Sequence, residues 1–216
     1  MGGVMATASP WPLIHAERLA LAEDLASLDD AQWSAPSLCG DWTVRDVLGH
    51  LTATARMTPA RFLMEMAGSG FRFNAMNAKN VRRETAGTPA QGLAEFRSLE
   101  SRTTSPPGPT EAMLGEAIIH GEDIRRPVGI YRDYPTEAVI RVADFFKGSN
   151  LLIGSKDRIA GLTLRATDTQ WSAGSGPEVS GPVLSLTLAM TGRSAALADL
   201  SGDGLATLQA RYQAAG

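Results

Sequence analysis

The spacing of the apolar residues constrains this chain most, because its period changes from helical to strand-like towards the C-terminus. Residues 11–28 carry leucine and isoleucine at helical intervals, and residues 44–67 repeat that pattern after Thr43. By contrast, the segment GLTLRATDTQW alternates leucines with polar residues, which is typical of a strand. We therefore expect a mainly α fold with two parts, an all-helical domain over residues 1–150 and a small α+β domain over residues 151–216.

Capping residues and helix breakers set the expected ends of the helices. Thr43 and Asp46 have the spacing of a capping box, and Pro59 is expected to kink or split the helix that follows. The break SPPGP precedes a helix for which Thr110 is the expected cap. The segment WSAGSGPEVSG is expected to form a turn-rich loop or a short hairpin. Further helices are expected at residues 74–84, 89–104, 110–126 and 136–147, at Pro182–Thr191 and Arg193–Leu200, and near Leu205.

The first helix has an apolar side that separates its hydrophobic residues from its charged ones. His15 lies about 100° from Ile14 around this helix, so we expect it at the surface rather than in a site. The apolar side consists of Ile14, Leu21, Leu25 and Leu28, whereas Glu17, Arg18 and Glu23 lie elsewhere on the helix.

Composition and charge exclude several classes of partner. The 216 residues are 44% hydrophobic and 20% charged, with a formal net charge of −3, and no stretch is strongly basic. We therefore expect neither nucleic acid nor an anionic membrane surface as a partner. No apolar run reaches the roughly 18 residues of a membrane span, and the N-terminus lacks the pattern of a signal peptide. The single cysteine, Cys39, excludes an intramolecular disulfide. We expect a cytoplasmic protein that is a monomer or a homodimer.

A glutamate and a histidine share the apolar face of the helix predicted at residues 110–126. With Met113 at zero and about 100° per residue, Ile124 falls at roughly 20°, His120 at roughly −20° and Glu116 at roughly −60°. Burying a carboxylate and an imidazole is costly unless another group satisfies them. A divalent cation bound by both side chains would do so, and so would a direct hydrogen bond between them. This helix alone does not decide between the two.

His50 adds a second imidazole to this pair. It lies about 60° from Val47, on the flank of the apolar face of its helix. Two imidazoles and one carboxylate between two helices leave coordination positions open for water or substrate, as catalytic metal sites do. The predicted metal ligands are therefore His50, Glu116 and His120, with zinc as the expected ion and nickel or iron as alternatives.

Two segments resemble the mycothiol-dependent maleylpyruvate isomerase family. They are WSAPSLCGDWTVRDVLGHL at residues 33–51 and GEAIIHGEDIRRP at residues 115–127. In that family a DinB-like four-helix bundle holds a metal through a histidine on its second helix and a glutamate and a histidine, four residues apart, on its last helix. The matching residues here are His50, Glu116 and His120. The tail LRATDTQWSAGSGPEVSGPVLSLTLAMTGRSAAL resembles the small α+β C-terminal domain of the family, although this part is short for the full domain of the isomerase.

The resemblance implies a fold and a chemistry. The fold is a DinB-like, up-and-down four-helix bundle followed by a small α+β domain. The chemistry uses a divalent metal ion and the low-molecular-weight thiol mycothiol as cosubstrate, and its substrate is a small electrophile. A free thiol has a pKa of about 8.5, and coordination to a metal deprotonates it. The implied activity is that of a mycothiol-dependent isomerase or S-transferase, and the resemblance does not fix the substrate.

Four further residues near these motifs have two possible roles each. Cys39 is expected to be a small buried residue rather than a catalytic thiol. Asp123 lies at roughly −80° on the same helical wheel, so it could orient a metal ligand or face solvent. Arg125 and Arg126 could bind an anionic substrate or the carboxylate of the thiol, or they could cap the end of their helix.

Two other functional classes stay open at this point. The bundle could be a non-catalytic protein that uses its metal structurally or to capture a ligand. Two histidines and one carboxylate also form the ligand set of non-haem iron oxygenases. The identity of the bound metal and the consumption of thiol distinguish these classes.

Overall fold

A computed structural model of the chain describes residues 8–151 and 153–213. Contacts between residues divide the chain into two compact units, Met1–Ile130 and Tyr131–Gly216. The first unit is helical and the second combines helices with a small sheet, as the change of period predicts. The expected fold class, mainly α with a small α+β C-terminal part, is therefore confirmed.

The first unit contains seven α-helices among its described residues. Four of them, α1, α3, α6 and α7, pack in a ring in which α1 and α3 each contact both α6 and α7. The helices are α1 (Trp11–Asp24), α2 (Asp30–Ser34), α3 (Val44–Ala55), α4 (Pro59–Ala67), α5 (Phe73–Glu84), α6 (Pro89–Ser98) and α7 (Thr110–Arg125), and a 3₁₀ turn, Leu25–Ser27, follows α1.

The core of the first unit comes from the apolar faces of these helices. Its members are buried and contact one another, so their removal from water contributes the main favourable term to folding. The cluster consists of Leu21, Ala22, Leu25, Trp33, Val44, Val47, Leu48, Leu51, Leu93, Phe96 and Ile124.

Helix α3 begins and ends as its sequence predicts. The Thr43 side chain accepts a hydrogen bond from the backbone N–H of Asp46, and the Asp46 carboxylate accepts one from the backbone N–H of Thr43. This capping box satisfies two N–H groups that the first turn leaves open. The helix stops at Ala55, and Pro59 starts α4 with Thr58 as its cap, so the proline splits the predicted helix.

Three helix ends differ from the expected ones. α6 ends at Ser98 instead of continuing to residue 104, because the chain turns there and its carbonyl groups bind a side chain of α1. α7 has Pro109 at its cap position with no side-chain hydrogen bond, so Thr110 is its first residue and not its cap. α1 gives way to a 3₁₀ turn after Asp24.

The charged residues of α1 also differ from the expected pattern. Glu17 and Arg18 are both buried, although the sequence places them off the apolar side. Each is held by a group from another helix or its flanking turn: Arg125 of α7 lies near Glu17, and backbone carbonyls after α6 bind Arg18. Contacts with distant parts of the chain therefore bury a part of α1 that periodicity alone would leave exposed.

The second unit packs helices on a three-stranded sheet with the order β2-β1-β3. β1 pairs antiparallel with β2 and parallel with β3, so β2 and β3 are both partners of β1 and do not form a hairpin with each other. A 3₁₀ turn, Ser194–Asp199, occupies most of the segment expected as a helix at residues 193–200. The elements are α8 (Thr136–Lys147), α9 (Ser155–Arg158), β1 (Thr163–Ala166), β2 (Ser172–Gly174), β3 (Glu178–Gly181), α10 (Val183–Met190) and α11 (Leu205–Gln213).

The division between the units falls earlier than the boundary expected near residue 150. Helix α8 belongs to the second unit because it packs along α10. Trp171 joins this packing by donating a hydrogen bond from Nε1 to the Asp144 carboxylate of α8, at 3.0 Å. None of the helices in the described residues is long and apolar enough to cross a lipid bilayer.

Gly49→Ala tests the close approach of α3 to α5. A Cβ atom at this position would lie 2.8 Å from Cγ2 of Thr85, so the Thr85 side chain or one of the two helices would have to shift. Alanine is favoured over glycine by about 1 kcal/mol inside a helix, but overpacking costs about 1–3 kcal/mol. We therefore expect a lower free energy of unfolding in urea titrations.

Gly92→Ala in α6 is the matched control. The nearest atom to a Cβ there is a carbonyl oxygen at 4.0 Å, so this change should leave stability unchanged or raise it by up to about 1 kcal/mol. Thr85→Ser removes the clashing methyl group and should restore stability to Gly49→Ala protein. Equal effects of the two glycine substitutions would contradict the tight packing of α3 against α5.

Candidate metal centre

Helices α3 and α7 bring the three predicted ligands together. The two helices are in contact, and the capping box of α3 fixes the start of the helix that carries His50. Glu116 and His120 lie one turn apart on α7. Each of the three offers one ligand atom, and these atoms all lie within 4.8 Å of one another.

Both imidazoles face the same carboxylate oxygen. Nε2 of His50 lies 2.8 Å from Oε2 of Glu116, and Nε2 of His120 lies 3.5 Å from that oxygen. The two imidazole rings are close, with centroids 4.8 Å apart and planes at 72°. Ligand atoms around a tetrahedral zinc ion, each about 2.1 Å from it, lie about 3.4 Å from one another. The donor types suit one such ion, and the two separations of 2.8 and 3.5 Å bracket this value.

The three side chains differ in their access to solvent. The histidine side chains are 11% and 12% exposed, whereas the Glu116 side chain is 32% exposed. The imidazoles thus lie in the protein interior and the carboxylate lies at its edge. A small molecule that reaches this site would do so on the side of Glu116.

Asp123 holds the second nitrogen of His120. Its Oδ2 lies 2.8 Å from Nδ1 of His120, and the Asp123 side chain is completely buried. A carboxylate is an acceptor, so this contact keeps the proton on Nδ1 and, in the neutral ring, leaves the lone pair of Nε2 facing Glu116. Asp123 is therefore not an exposed helix residue, and its position is that of a group that orients a metal ligand.

A positive charge between the side chains would stabilise this arrangement. A neutral His120 whose Nδ1 carries the proton presents a lone pair to Oε2 of Glu116, and two acceptors repel each other at this distance. Either a proton on Nε2 or a metal ion relieves the repulsion. A metal ion would satisfy His50, Glu116 and His120 together, whereas without one Nε2 of His50 can donate a hydrogen bond to the same oxygen.

Two residues of the loop before α3 lie beside the site. The Trp42 ring packs against the His50 ring, with centroids 5.1 Å apart. Cys39 is partly buried, and its sulfur lies within 4.8 Å of ligand atoms of His120 and Asp123. The backbone N–H of Leu38 donates to the carbonyl oxygen of Asp123, which fixes this loop on α7. Cys39 packs against the core but is only partly buried, not buried as expected, and its expected lack of a catalytic role stays a prediction.

The two arginines at the end of α7 have partners within the first unit. Arg125 is fully buried, with Nε 2.7 Å from Asp24 and Nη1 3.6 Å from Glu17. Nε of Arg126 lies 2.9 Å from the carboxylate of Glu122. Both side chains are thus engaged in ion pairs, and a role of Arg125 and Arg126 in binding thiol or substrate stays a prediction.

His15 lies apart from the site. Its Nε2 is 3.3 Å from the carbonyl oxygen of Arg102, and its ring lies near that of Trp11. The metal-ligand groups found among the described residues do not include it. Of the three histidines, two therefore converge and one does not.

The fold and the side chains define a class, a helical bundle with two histidines and one carboxylate converging between two of its helices. Residues 14–105 match the model of the family described as the mycothiol maleylpyruvate isomerase N-terminal domain, which confirms the family expected from the sequence for this part of the chain. The matched segment contains His50, and Glu116 and His120 follow it. A comparison with curated protein sequences gives no significant match.

Two solved structures share this fold. One is the crystal structure of the mycothiol-dependent maleylpyruvate isomerase, which is 18% identical with a TM-score of 0.64. The other is a histidine-to-alanine mutant described under the same enzyme name, at 16% identity and a TM-score of 0.62. Each alignment covers 89% of this chain and 91% of the other chain. At this identity the similarity establishes the fold of this chain and leaves its activity open.

Asp123→Asn tests the orientation of His120. The amide has the size of the carboxylate but no charge, and its NH₂ group can favour the wrong tautomer of the imidazole. Loss of such an orienting group typically lowers metal affinity by about 10–100-fold. We expect a loss in this range for zinc, measured by competition with a chromophoric chelator.

Glu122→Gln is the matched control on the same helix, since Glu122 is buried and pairs with Arg126 rather than with a predicted ligand. Its zinc affinity should equal that of the wild type. Asp123→Asn protein that binds zinc as tightly as the wild type would show that the carboxylate does not orient a ligand.

Proposed function

We propose that this protein is a divalent-metal-dependent, mycothiol-dependent isomerase or S-transferase that acts on a small electrophile. The observation that carries the proposal is the convergence of His50 and His120 on one oxygen of Glu116, with Asp123 holding the other nitrogen of His120. The match of residues 14–105 to the isomerase family and the shared fold support the choice of thiol chemistry.

His50, Glu116 and His120 would hold the ion, for which zinc is the first choice because imidazole and carboxylate suit it. When bound, a divalent ion lowers the pKa of a coordinating thiol, so that the thiol reacts as a thiolate at neutral pH. Mycothiol, named in the descriptions of the family and of the solved structures, is the proposed thiol.

The side chains of the chain have separate tasks in this proposal. Asp123 keeps the proton on Nδ1 of His120 and so directs Nε2 of His120 towards the site. Trp42 packs on His50 and limits its rotation. Glu116, the most exposed of the three, marks the side from which thiol and electrophile enter.

The reaction itself is thiolate addition to an electrophilic carbon. Addition to a carbon–carbon double bond converts it to a single bond, which can rotate. Expulsion of the thiolate then restores the double bond with changed geometry, and this outcome is isomerisation. Protonation and release of the adduct instead complete an S-transfer.

The metal content of the protein is the first test. We expect one divalent ion per chain, measured by elemental analysis of protein purified without a polyhistidine tag. His50→Ala, Glu116→Ala and His120→Ala should each reduce the content to near zero, because the remaining two ligands bind weakly. His15→Ala is the matched histidine control and should retain the metal. Retention of a full equivalent by all three ligand variants would refute the site, and iron in place of zinc would favour oxygenase chemistry.

Consumption of mycothiol in the presence of a panel of electrophiles tests the activity, with glutathione as the control thiol. His120→Ala should abolish turnover together with metal binding. Cys39→Ala should keep turnover, because the proposed nucleophile is the exogenous thiol and not the Cys39 side chain. The cost of that substitution is one of packing, about 1–2 kcal/mol of stability for a small buried group.

Two results would contradict this assignment. One is unchanged turnover in His120→Ala protein. The other is complete loss of turnover in Cys39→Ala protein that is still folded and still contains its metal, which would make Cys39 the nucleophile.

A further inference from the structure

A pocket beside the candidate metal centre contains a buried arginine. The pocket lies between α1, α3, α6 and α7 and encloses about 290 Å³ of empty space, open solvent at its mouth included. Glu116 lines it, so the pocket and the metal centre share one residue. Its lining is otherwise mostly apolar, with Glu17 and Arg18 as the other charged side chains.

Arg18 is held in place by neutral groups. Its Nη1 donates to the carbonyl oxygens of Leu99 and Arg102, at 3.4 and 2.8 Å. The Trp11 ring lies 6.0 Å from its guanidinium carbon. Within the described part of the chain, no carboxylate lies within ion-pair distance of Arg18, and its side-chain hydrogen bonds all come from Nη1.

This arginine therefore keeps donors and charge in the pocket. A guanidinium has five N–H donors on three nitrogens, and Nη1 supplies only two of them. The residue is buried, with 5% of its surface exposed. Burial lowers the pKa of Arg18 to about 10, so the group is still a cation at neutral pH. A buried cation without a charged partner is costly, and an anionic ligand offsets that cost.

The carboxylates in the pocket do not form an ion pair with Arg18. The ion pair of Glu17 is with the buried Arg125, whose Nη1 lies 3.6 Å away. Oε2 of Glu116 faces the two imidazoles of the metal centre. The hydrogen bonds of the Arg18 guanidinium thus go to backbone carbonyl groups and not to a carboxylate.

We propose that Arg18 binds a carboxylate group of the small molecule that occupies this pocket and so places the rest of that molecule next to Glu116 and the metal centre. The guanidinium forms paired hydrogen bonds with a planar carboxylate, which a lysine cannot do. The proposal rests on the proposed function only in taking the occupant to be the substrate. Anion binding by Arg18 itself requires neither metal nor thiol.

Binding of benzoate and benzamide separates charge from shape, because the two probes differ only in the carboxylate and the neutral amide. We expect chelator-treated wild-type protein to bind benzoate and maleate in calorimetric titrations, and to bind benzamide more weakly. Chelation removes any contribution of a metal ion to carboxylate binding. Arg18→Met should lower benzoate affinity about tenfold or more, in line with a lost hydrogen bond to a charged group, and should leave benzamide affinity unchanged. Arg18→Lys should lie between the two proteins.

Arg97→Met is the matched control. Arg97 donates from Nη2 to the carbonyl oxygen of Ala22 at 3.0 Å, so it also links a neighbouring helix to α1 but does not line the pocket. It should bind benzoate as the wild type does. A second measurement on unaltered protein does not depend on folding of a variant: benzoate, but not benzamide, should shift the NMR signal of the Arg18 Nε–H group.

The outcomes separate this proposal from the proposed function. The absence of carboxylate binding by the wild type, equal benzoate affinity in Arg18→Met protein, or an equal loss in Arg97→Met protein would each overturn the role of Arg18. Benzoate binding through Arg18 in a protein that binds no metal and consumes no thiol would support the anion site and refute the proposed function.

Discussion

One carboxylate oxygen facing two imidazole nitrogens is the interaction on which the candidate site depends. Oε2 of Glu116 lies 2.8 Å from one imidazole and 3.5 Å from the other, and both imidazoles are largely buried. With Nδ1 of His120 held by Asp123, Nε2 of His120 presents a lone pair to this oxygen, to which Nε2 of His50 can donate. A cation at the position where the side chains meet would be bound by one carboxylate and two imidazoles at once. The bundle supplies the rigid frame, since the capping box of α3 and the packing of α7 fix both sides of the cluster.

Helical periodicity was enough to predict that the three candidate ligands come together. His50, Glu116 and His120 lie on or beside the apolar faces of two helices, and packing those faces together brings the side chains into range. Asp123 could not be assigned in this way. Its wheel position at the edge of the face fits burial or exposure equally well, and the loop around Leu38, which bonds to its carbonyl oxygen, lies far away in sequence. Trp42 belongs to the same loop and contacts His50, a contact that the sequence alone does not indicate.

The limits of the fold prediction have the same origin. Helices with caps and breakers were found, including α8 at residues 136–147, because their signals are local. The end of α6 was missed because Arg18, more than eighty residues earlier, binds carbonyl oxygens of the turn that follows Ser98. The strands β2 and β3 were expected as a loop or hairpin, since nothing local in WSAGSGPEVSG shows that both segments pair with β1. In each case a contact between distant residues decides the local structure.

Arg18 and Arg125 show why the partner of a charged group matters more than its burial. Both residues are buried among the helices of the first unit. Of these two, the sequence indicated Arg125 and not Arg18 as a candidate for anion binding. Arg125 lies 2.7 Å from Asp24 and 3.6 Å from Glu17, so its charge is matched by carboxylates of the chain. Arg18 is bound by two backbone carbonyls, which accept its protons without neutralising its charge. A ligand carboxylate at Arg125 would have to displace an existing ion pair, whereas at Arg18 it would supply the first opposite charge. The same physical criterion that favours a cation among Glu116 and its imidazoles therefore favours an anion at Arg18, and the two positions border one pocket.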